Sequence, residues 1–165
     1  MSDKKMNYVI TKNDKAIEYY TQVYGEQKIA SKLRDNDCIA VPGMHTEQGM
    51  VFEDDTIDFM KYCLQNDPNH KYALAVDGDI PLNSQHSADI LIPLLIIAEN
   101  GMLPVILNLL SSYIFNRIAN RKHESHDIKV SIMVIDGDRN TRIDYSGPAD
   151  GFTKVAEDIK DIITE

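Results

Sequence analysis

The sequence predicts an α+β fold: a single mixed domain in which short strands and a C-terminal β-hairpin are packed by central apolar helices and a C-terminal amphipathic helix. Three observations predict it. Residues 89–117 are the longest apolar stretch, two strand-like runs flank an Asp-Gly turn, and residues 148–163 place apolar side chains at helical spacing. A length of 165 residues suits one domain spanning 1–165, with a subdivision near 80–88 as the alternative.

The central stretch, Asp89–Arg117, is interrupted near its middle by Glu99, and a glycine and a proline follow shortly after. A membrane-spanning helix needs about 20 consecutive apolar residues, and an acidic residue within it costs about 3 kcal/mol. We therefore interpret the stretch as two helices of a soluble core, Pro93–Asn100 and Pro104–Asn120. Each begins with a proline, whose missing N–H would be unpaired there in any case.

The second of these helices has a narrow polar stripe, because Asn108, Ser112, Asn116 and Asn120 recur at every fourth position among apolar residues. A helix that is apolar around most of its circumference is a central helix or an oligomer contact. In a soluble oligomer the stripe would line a seam between helices, and in a monomer it would face backbone carbonyls or water. We rank the soluble oligomer or complex subunit first, the soluble monomer second and the membrane-bound form third.

The remaining elements follow from local signals taken in chain order. The predicted strands are Asn7–Thr11, Cys38–Val41, Met50–Phe52, Tyr72–Val76, Ile128–Ile135 and Thr141–Tyr145. The predicted helices cover residues 13–24, Glu26–Arg34, residues 55–66 and Pro148–Ile163. The third of these is capped by Asp55 or Thr56 and ends at about Asn66. We expect Cys38–Val41 and Met50–Phe52 to form a hairpin, and the apolar run Tyr72–Val76 to be an interior strand.

Charge and cysteine content restrict the classes of partner and site. A net charge of −9 would repel a phosphate backbone, so a nucleic-acid partner is not expected. The two cysteines, Cys38 and Cys63, lack the spacing of a metal or redox site and are predicted to be small buried residues. The N-terminus has no secretory signal, which favours a cytoplasmic location.

The candidate metal ligands are Asp77, Asp79, Asp136 and Asp138, in the repeated phrases VDGD and IDGD. Each phrase follows an apolar strand, and carboxylates at strand ends are oxygen ligands that Mg²⁺ accepts. The alternative is that both phrases are turns, since Asp-Gly is typical of hairpins. No phosphate loop, nucleophile motif or paired CxxC is present in the sequence, so no catalytic residue is assigned and no cofactor is expected.

The C-terminal half resembles small bacterial effector-associated, defence-accessory proteins in two phrases, IPLLIIAENGMLPVILNLLSSYIFNRI at residues 92–118 and IDYSGPADGF at 143–152. The resemblance implies an accessory component that works beside an effector in antiviral defence. It implies no catalytic residues.

The function that we predict is therefore that of a small soluble accessory or regulatory protein, which acts through a protein partner or homo-oligomer using the Pro104–Asn120 region. The first alternative is a metal-dependent phosphoryl-transfer or nucleotide-processing enzyme that uses the four aspartates of the Asp-Gly-Asp turns. The second is a membrane-associated effector subunit.

Overall fold

The computed structural model describes residues 7–12, 22, 26–45, 49–76, 82–83, 89–119, 127–136 and 139–163. Its strands are β1 (Asn7–Lys12), β2 (Cys38–Val41), β3 (Gly43–His45), β4 (Gly49–Glu53), β5 (Tyr72–Leu74), β6 (Leu82–Asn83), β7 (Ile90–Ile97), β8 (Asp127–Asp136) and β9 (Arg139–Pro148). Its helices are α1 (Glu26–Asp35), α2 (Asp54–Asn66), α3 (Leu103–Ala119) and α4 (Phe152–Ile163). Short 3₁₀ turns, Asn100–Met102 and Ala149–Gly151, lead into α3 and α4.

The main sheet has six strands in the order β1-β9-β8-β7-β2-β5, and β3, β4 and β6 form a smaller sheet. The pairs β7–β8 and β2–β5 are parallel, whereas the other neighbours in the main sheet are antiparallel. The hairpin β8–β9 is paired from Asp127 with Pro148 to Asp136 with Arg139. The α+β class and the C-terminal hairpin are thus confirmed.

Helices cover both faces of the main sheet. On one face, α2, α3 and α4 pack through Phe59, Leu107 and Phe152 into the larger cluster of buried side chains. On the other face, Ile29 of α1 packs into a smaller cluster with Met133 of β8. The predicted helices Glu26–Arg34, Pro104–Asn120 and Pro148–Ile163 are confirmed as α1, α3 and α4, with ends shifted by a few residues.

The predicted helix over Pro93–Asn100 is wrong, because Ile90–Ile97 is the interior strand β7. A continuous apolar run has no period of its own, so periodicity cannot separate a buried strand from a buried helix. Its alternating side chains enter both clusters: Ile90, Ile92, Leu95 and Ile97 enter the larger and Leu94 and Ile96 the smaller.

Pro93 is tolerated inside β7 because the register with β8 shifts between Ile92 and Leu95. A proline in a sheet lacks the N–H that a regular ladder needs, and irregular positions are where it is found. Gly43 of β3 lies against this proline, since a Cβ on Gly43 would be 2.8 Å from the Pro93 Cγ.

Two predictions of strand pairing are also wrong. The strand β4 pairs with β3 in a hairpin and not with β2, which lies between β7 and β5. The run Tyr72–Val76, predicted as an interior strand, forms the shorter strand β5. Among the described residues, β5 lies at an edge of the main sheet. The partners of β2 in the main sheet, β5 and β7, are distant in sequence, and local patterns do not specify them.

The predicted helix that ends at Asn66 is confirmed as α2, but its predicted cap is wrong. Helix α2 begins at Asp54 after an extended Glu53, so Asp55 and Thr56 lie within its first turn and are not the cap. Cys38 and Cys63 are buried and free, which confirms their predicted burial, and burial raises the pKa of both thiols. The predicted helix over residues 13–24 lies outside the described residues except for Gln22, and the subdivision near 80–88 lies almost entirely outside them.

Asp67 joins the end of α2 to β5. Its carboxylate accepts hydrogen bonds from the Tyr72 hydroxyl at 2.5 Å and from the backbone N–H of Asn69 at 3.2 Å, and it lies 2.8 Å from the His70 Nδ1. Burial raises the pKa of Asp67, but the hydrogen bonds from Tyr72, His70 and Asn69 outweigh burial and hold the pKa below its ordinary value of 3.8. The carboxylate is therefore the form that the fold stabilises.

We expect Asp67→Asn to lower the free energy of unfolding by about 2 kcal/mol near neutral pH. Because the folded pKa is depressed, the ionised carboxylate stabilises the fold above about pH 4, and that stabilisation is lost as the pH falls below this value through the folded pKa. Urea unfolding of wild type and of Asp67→Asn at several pH values measures this stabilisation. The difference between them should shrink in acid; a difference independent of pH would contradict the assignment.

Candidate outer groove between two helices

The candidate functional site is a groove on the outer surface of the helical layer, named here the outer groove. Two neighbouring cavities of about 270 and 440 Å³ form it, and they share Tyr62 and Asn116. The lining residues are Asp58, Lys61, Tyr62 and Gln65 of α2, Ser111, Ser112, Tyr113, Phe115, Asn116 and Arg117 of α3, and Thr153 of α4.

Helical spacing explains why these side chains meet. On α2, Asp58, Lys61, Tyr62 and Gln65 are separated by three or four residues and therefore share one face. On α3, the side chains of the opposite face are buried in the core, and these are Leu103, Ile106, Leu107, Leu110 and Ile114, whereas the buried Tyr113 ring packs beside α2. The remaining face of α3 is directed outward, beside α2.

The polar stripe of α3 lies on this outward face. Asn108, Ser112 and Asn116 are exposed, and Asn108 accepts a hydrogen bond from the Lys160 ammonium of α4. Within the chain, the stripe thus faces water and a neighbouring helix. The fourth member, Asn120, lies outside the described residues.

A buried carboxylate holds the base of the groove in place. Asp55, in the first turn of α2, is 6% exposed and accepts three hydrogen bonds. The donors are the Tyr113 hydroxyl at 3.1 Å, the Arg117 Nε at 3.2 Å and the backbone N–H of Leu91 in β7 at 3.1 Å. One side chain therefore ties α2 to α3 and to the central strand of the sheet.

The electrostatics of this cluster keep the Tyr113 phenol protonated. Burial, followed by the charge of the Asp55 carboxylate, raises the pKa of Tyr113 above its ordinary value of 10.0, so the phenol stays a hydrogen-bond donor at neutral pH. The Arg117 side chain is 29% exposed at the groove. At the base of the groove the charges of Asp55 and Arg117 thus neutralise each other.

Aromatic rings form the other part of the surface. The Tyr113 ring packs edge-on against Phe59 at 5.6 Å and against Tyr62 at 5.9 Å between centroids. Phe115 is different: it is 71% exposed, the largest exposed fraction among the large apolar side chains that the structure describes. Aromatic side chains beside polar groups are typical of the centre of protein interfaces.

The structure leaves the candidate metal ligands untested. Asp77, Asp79 and Asp138 lie outside the described residues, and of Asp136 only its backbone, at the end of β8, is described. Within the described ranges no group of three or more histidine, cysteine, aspartate or glutamate side chains could hold a metal ion. The metal site stays a prediction.

The cluster of Asp55, Tyr113 and Arg117 is not among the sites predicted from the sequence. Asp55 was predicted as a helix cap, and its two side-chain donors are 58 and 62 residues further along the chain. A local signal did exist: Tyr113 and Arg117 are one helical turn apart, and Arg117 is the only charged residue of α3, so a carboxylate partner is expected beside it.

The segment Asn100–Ala119 is long and apolar enough to cross a membrane by length and composition, and 39% of its apolar window is buried. This is weak evidence for a membrane span, because the core helix of a soluble protein passes the same test.

Comparison of the chain with protein-family models, with curated proteins and with solved structures gives no significant match. The function that we assign therefore rests on the geometry of the described residues.

Proposed function

We propose that this protein is a small accessory or regulatory protein that binds another protein through the outer groove. The observation that carries the proposal is Phe115, an aromatic side chain that is 71% exposed on the rim of a groove whose base is held by the hydrogen bonds of Asp55. Exposed aromatic groups clustered with adaptable polar groups are characteristic of residues that dominate binding energy at interfaces.

The shape of the groove supports a protein ligand. Small-molecule sites enclose 70–90% or more of the ligand surface, whereas these two cavities open along the outside of α2 and α3 and are joined through Tyr62 and Asn116. A surface of this kind accommodates several side chains of a partner in succession.

The charges of the groove also support the proposal. Asp58 and Lys61 have opposite charges, and the Arg117 guanidinium is paired with Asp55 at its base. The surface is close to neutral within a chain of net charge −9. An uncompensated charge at an interface must be desolvated on binding, so a surface without net charge is favourable there. A cytoplasmic location and a role beside an effector in antiviral defence belong to the same proposal.

We expect Phe115→Asp to abolish retention of the protein partner. Affinity purification of the tagged full chain from its native cell, followed by mass spectrometry, measures the loss against wild type. The matched control is Leu64→Asp, since Leu64 is 57% exposed on α2 and does not line either cavity. A partner retained by wild type and by Leu64→Asp, but not by Phe115→Asp, supports the proposal. Equal retention by all three proteins contradicts it.

A further inference from the structure

We infer that the protein bound in the outer groove is a second copy of this chain, related by a two-fold axis, with Phe115 of each copy inserted beside Tyr62 of the other. The inference rests on the proposed function and names its partner. A two-fold interface uses the same patch on both copies, so the patch must carry both a protrusion and a recess. Phe115 is the protrusion, and the adjoining cavity of about 440 Å³ is the recess.

Charge favours a second copy at this face. With 26 acidic and 17 basic residues, two copies repel each other when acidic surfaces meet. At the outer groove the opposite charges of Asp58 and Lys61 cancel, and the charge of Arg117 is compensated by Asp55. This face lets two chains of the same net charge approach without that repulsion.

The polar groups of the outer groove are of the kind that pair with themselves. Ser112 and Asn116 are exposed on α3, and both line the cavity beside Phe115. A hydroxyl or a carboxamide both donates and accepts hydrogen bonds, so identical residues on two copies satisfy each other. Carboxylates or ammonium groups in these positions would repel their own counterparts. The polar stripe thus suits a seam between two α3 helices.

Sedimentation velocity on the full chain without detergent tests the inference over a series of protein concentrations. We expect wild type to show a reversible equilibrium of monomer and dimer. Because Phe115 would be buried twice in each dimer, Phe115→Asp should weaken dimerisation by about 100-fold or more. Leu64→Asp, which adds the same charge outside the groove, should change it by less than about threefold. Far-ultraviolet circular dichroism verifies that each variant is folded. If Phe115→Asp is not folded, Phe115→Ser replaces it.

Mixing wild type with Phe115→Asp tests the reciprocal arrangement. A mixed dimer keeps one of the two insertions, so its affinity should lie between those of the two pure proteins. A mixed dimer as tight as wild type overturns the arrangement, and so does a wild type that is monomeric at every concentration. If wild type is monomeric yet retains a different partner through Phe115, the proposed function stands and the second copy is refuted. If neither association depends on Phe115, both fail.

Discussion

Replacing Asp55 with alanine is expected to lower the free energy of unfolding by about 3 kcal/mol or more. The substitution removes the common acceptor of Tyr113, Arg117 and the Leu91 N–H, and it leaves a partly buried guanidinium without its counter-charge. Because the Arg117 side chain is 29% exposed, water compensates part of the loss, so we expect the lower end of the range for broken buried pairs, which extends to about 5 kcal/mol. Urea denaturation followed by circular dichroism measures the effect.

Asp54→Ala is the matched control. Asp54 is the preceding residue in the same first turn and is only half-buried, so its removal should cost less than about 1 kcal/mol through the helix dipole. A double-mutant cycle isolates the pair: in an Arg117→Met background, Asp55→Ala should cost at least about 1 kcal/mol less than in wild type. Equal losses for Asp54→Ala and Asp55→Ala would show that the cluster does not join the helices to the sheet.

The other large effect is expected from Phe152→Ala, at about 3–5 kcal/mol. Phe152 begins α4, is 1% exposed, and packs edge-on against Tyr145 of the hairpin at 5.2 Å between centroids. Removing the ring leaves a cavity between α4 and the sheet that surrounding side chains fill only partly. Thermal and urea unfolding both measure the loss.

Phe115→Ala is the control, because it removes the same atoms from a side chain that is 71% exposed. At a protein concentration at which wild type is monomeric, we expect it to change the free energy of unfolding by no more than about 0.5 kcal/mol. This contrast matters for the proposed function, since Phe115 can then be altered without loss of the fold. A large destabilisation by Phe115→Ala would mean that this ring stabilises the monomer and would weaken the argument for a binding surface.

Elements whose signal is local could be predicted from the sequence. The helix α4 is encoded by apolar side chains at Phe152, Val155 and Ile159, all of which are buried in the structure. The hairpin β8–β9 follows from two strand-like runs around an Asp-Gly turn. Helix α3 begins next to Pro104, as proline at a helix start predicts. In each case the residues that specify the element lie within it.

The candidate site could be predicted only in part. The polar stripe of α3 could be predicted, but the direction in which that face points and the exposure of Phe115 could not. Whether Asn108 faces a second chain, a backbone carbonyl or Lys160 of α4 depends on where α4 packs. The role of Asp55 was likewise hidden, because an aspartate at a helix start is normally explained by the helix dipole or a cap.

By itself the sequence determined the α+β class, the C-terminal hairpin and the existence of the four described helices. Tertiary structure alone decided that residues 90–97 form a strand, that β2 lies between β7 and β5, and that Asp55 meets Tyr113 and Arg117. The physical reason is that strand pairing and burial are made with partners far along the chain. A periodic segment has one apolar face and specifies its own structure, whereas a uniformly apolar run or a lone carboxylate takes its structure and role from its neighbours.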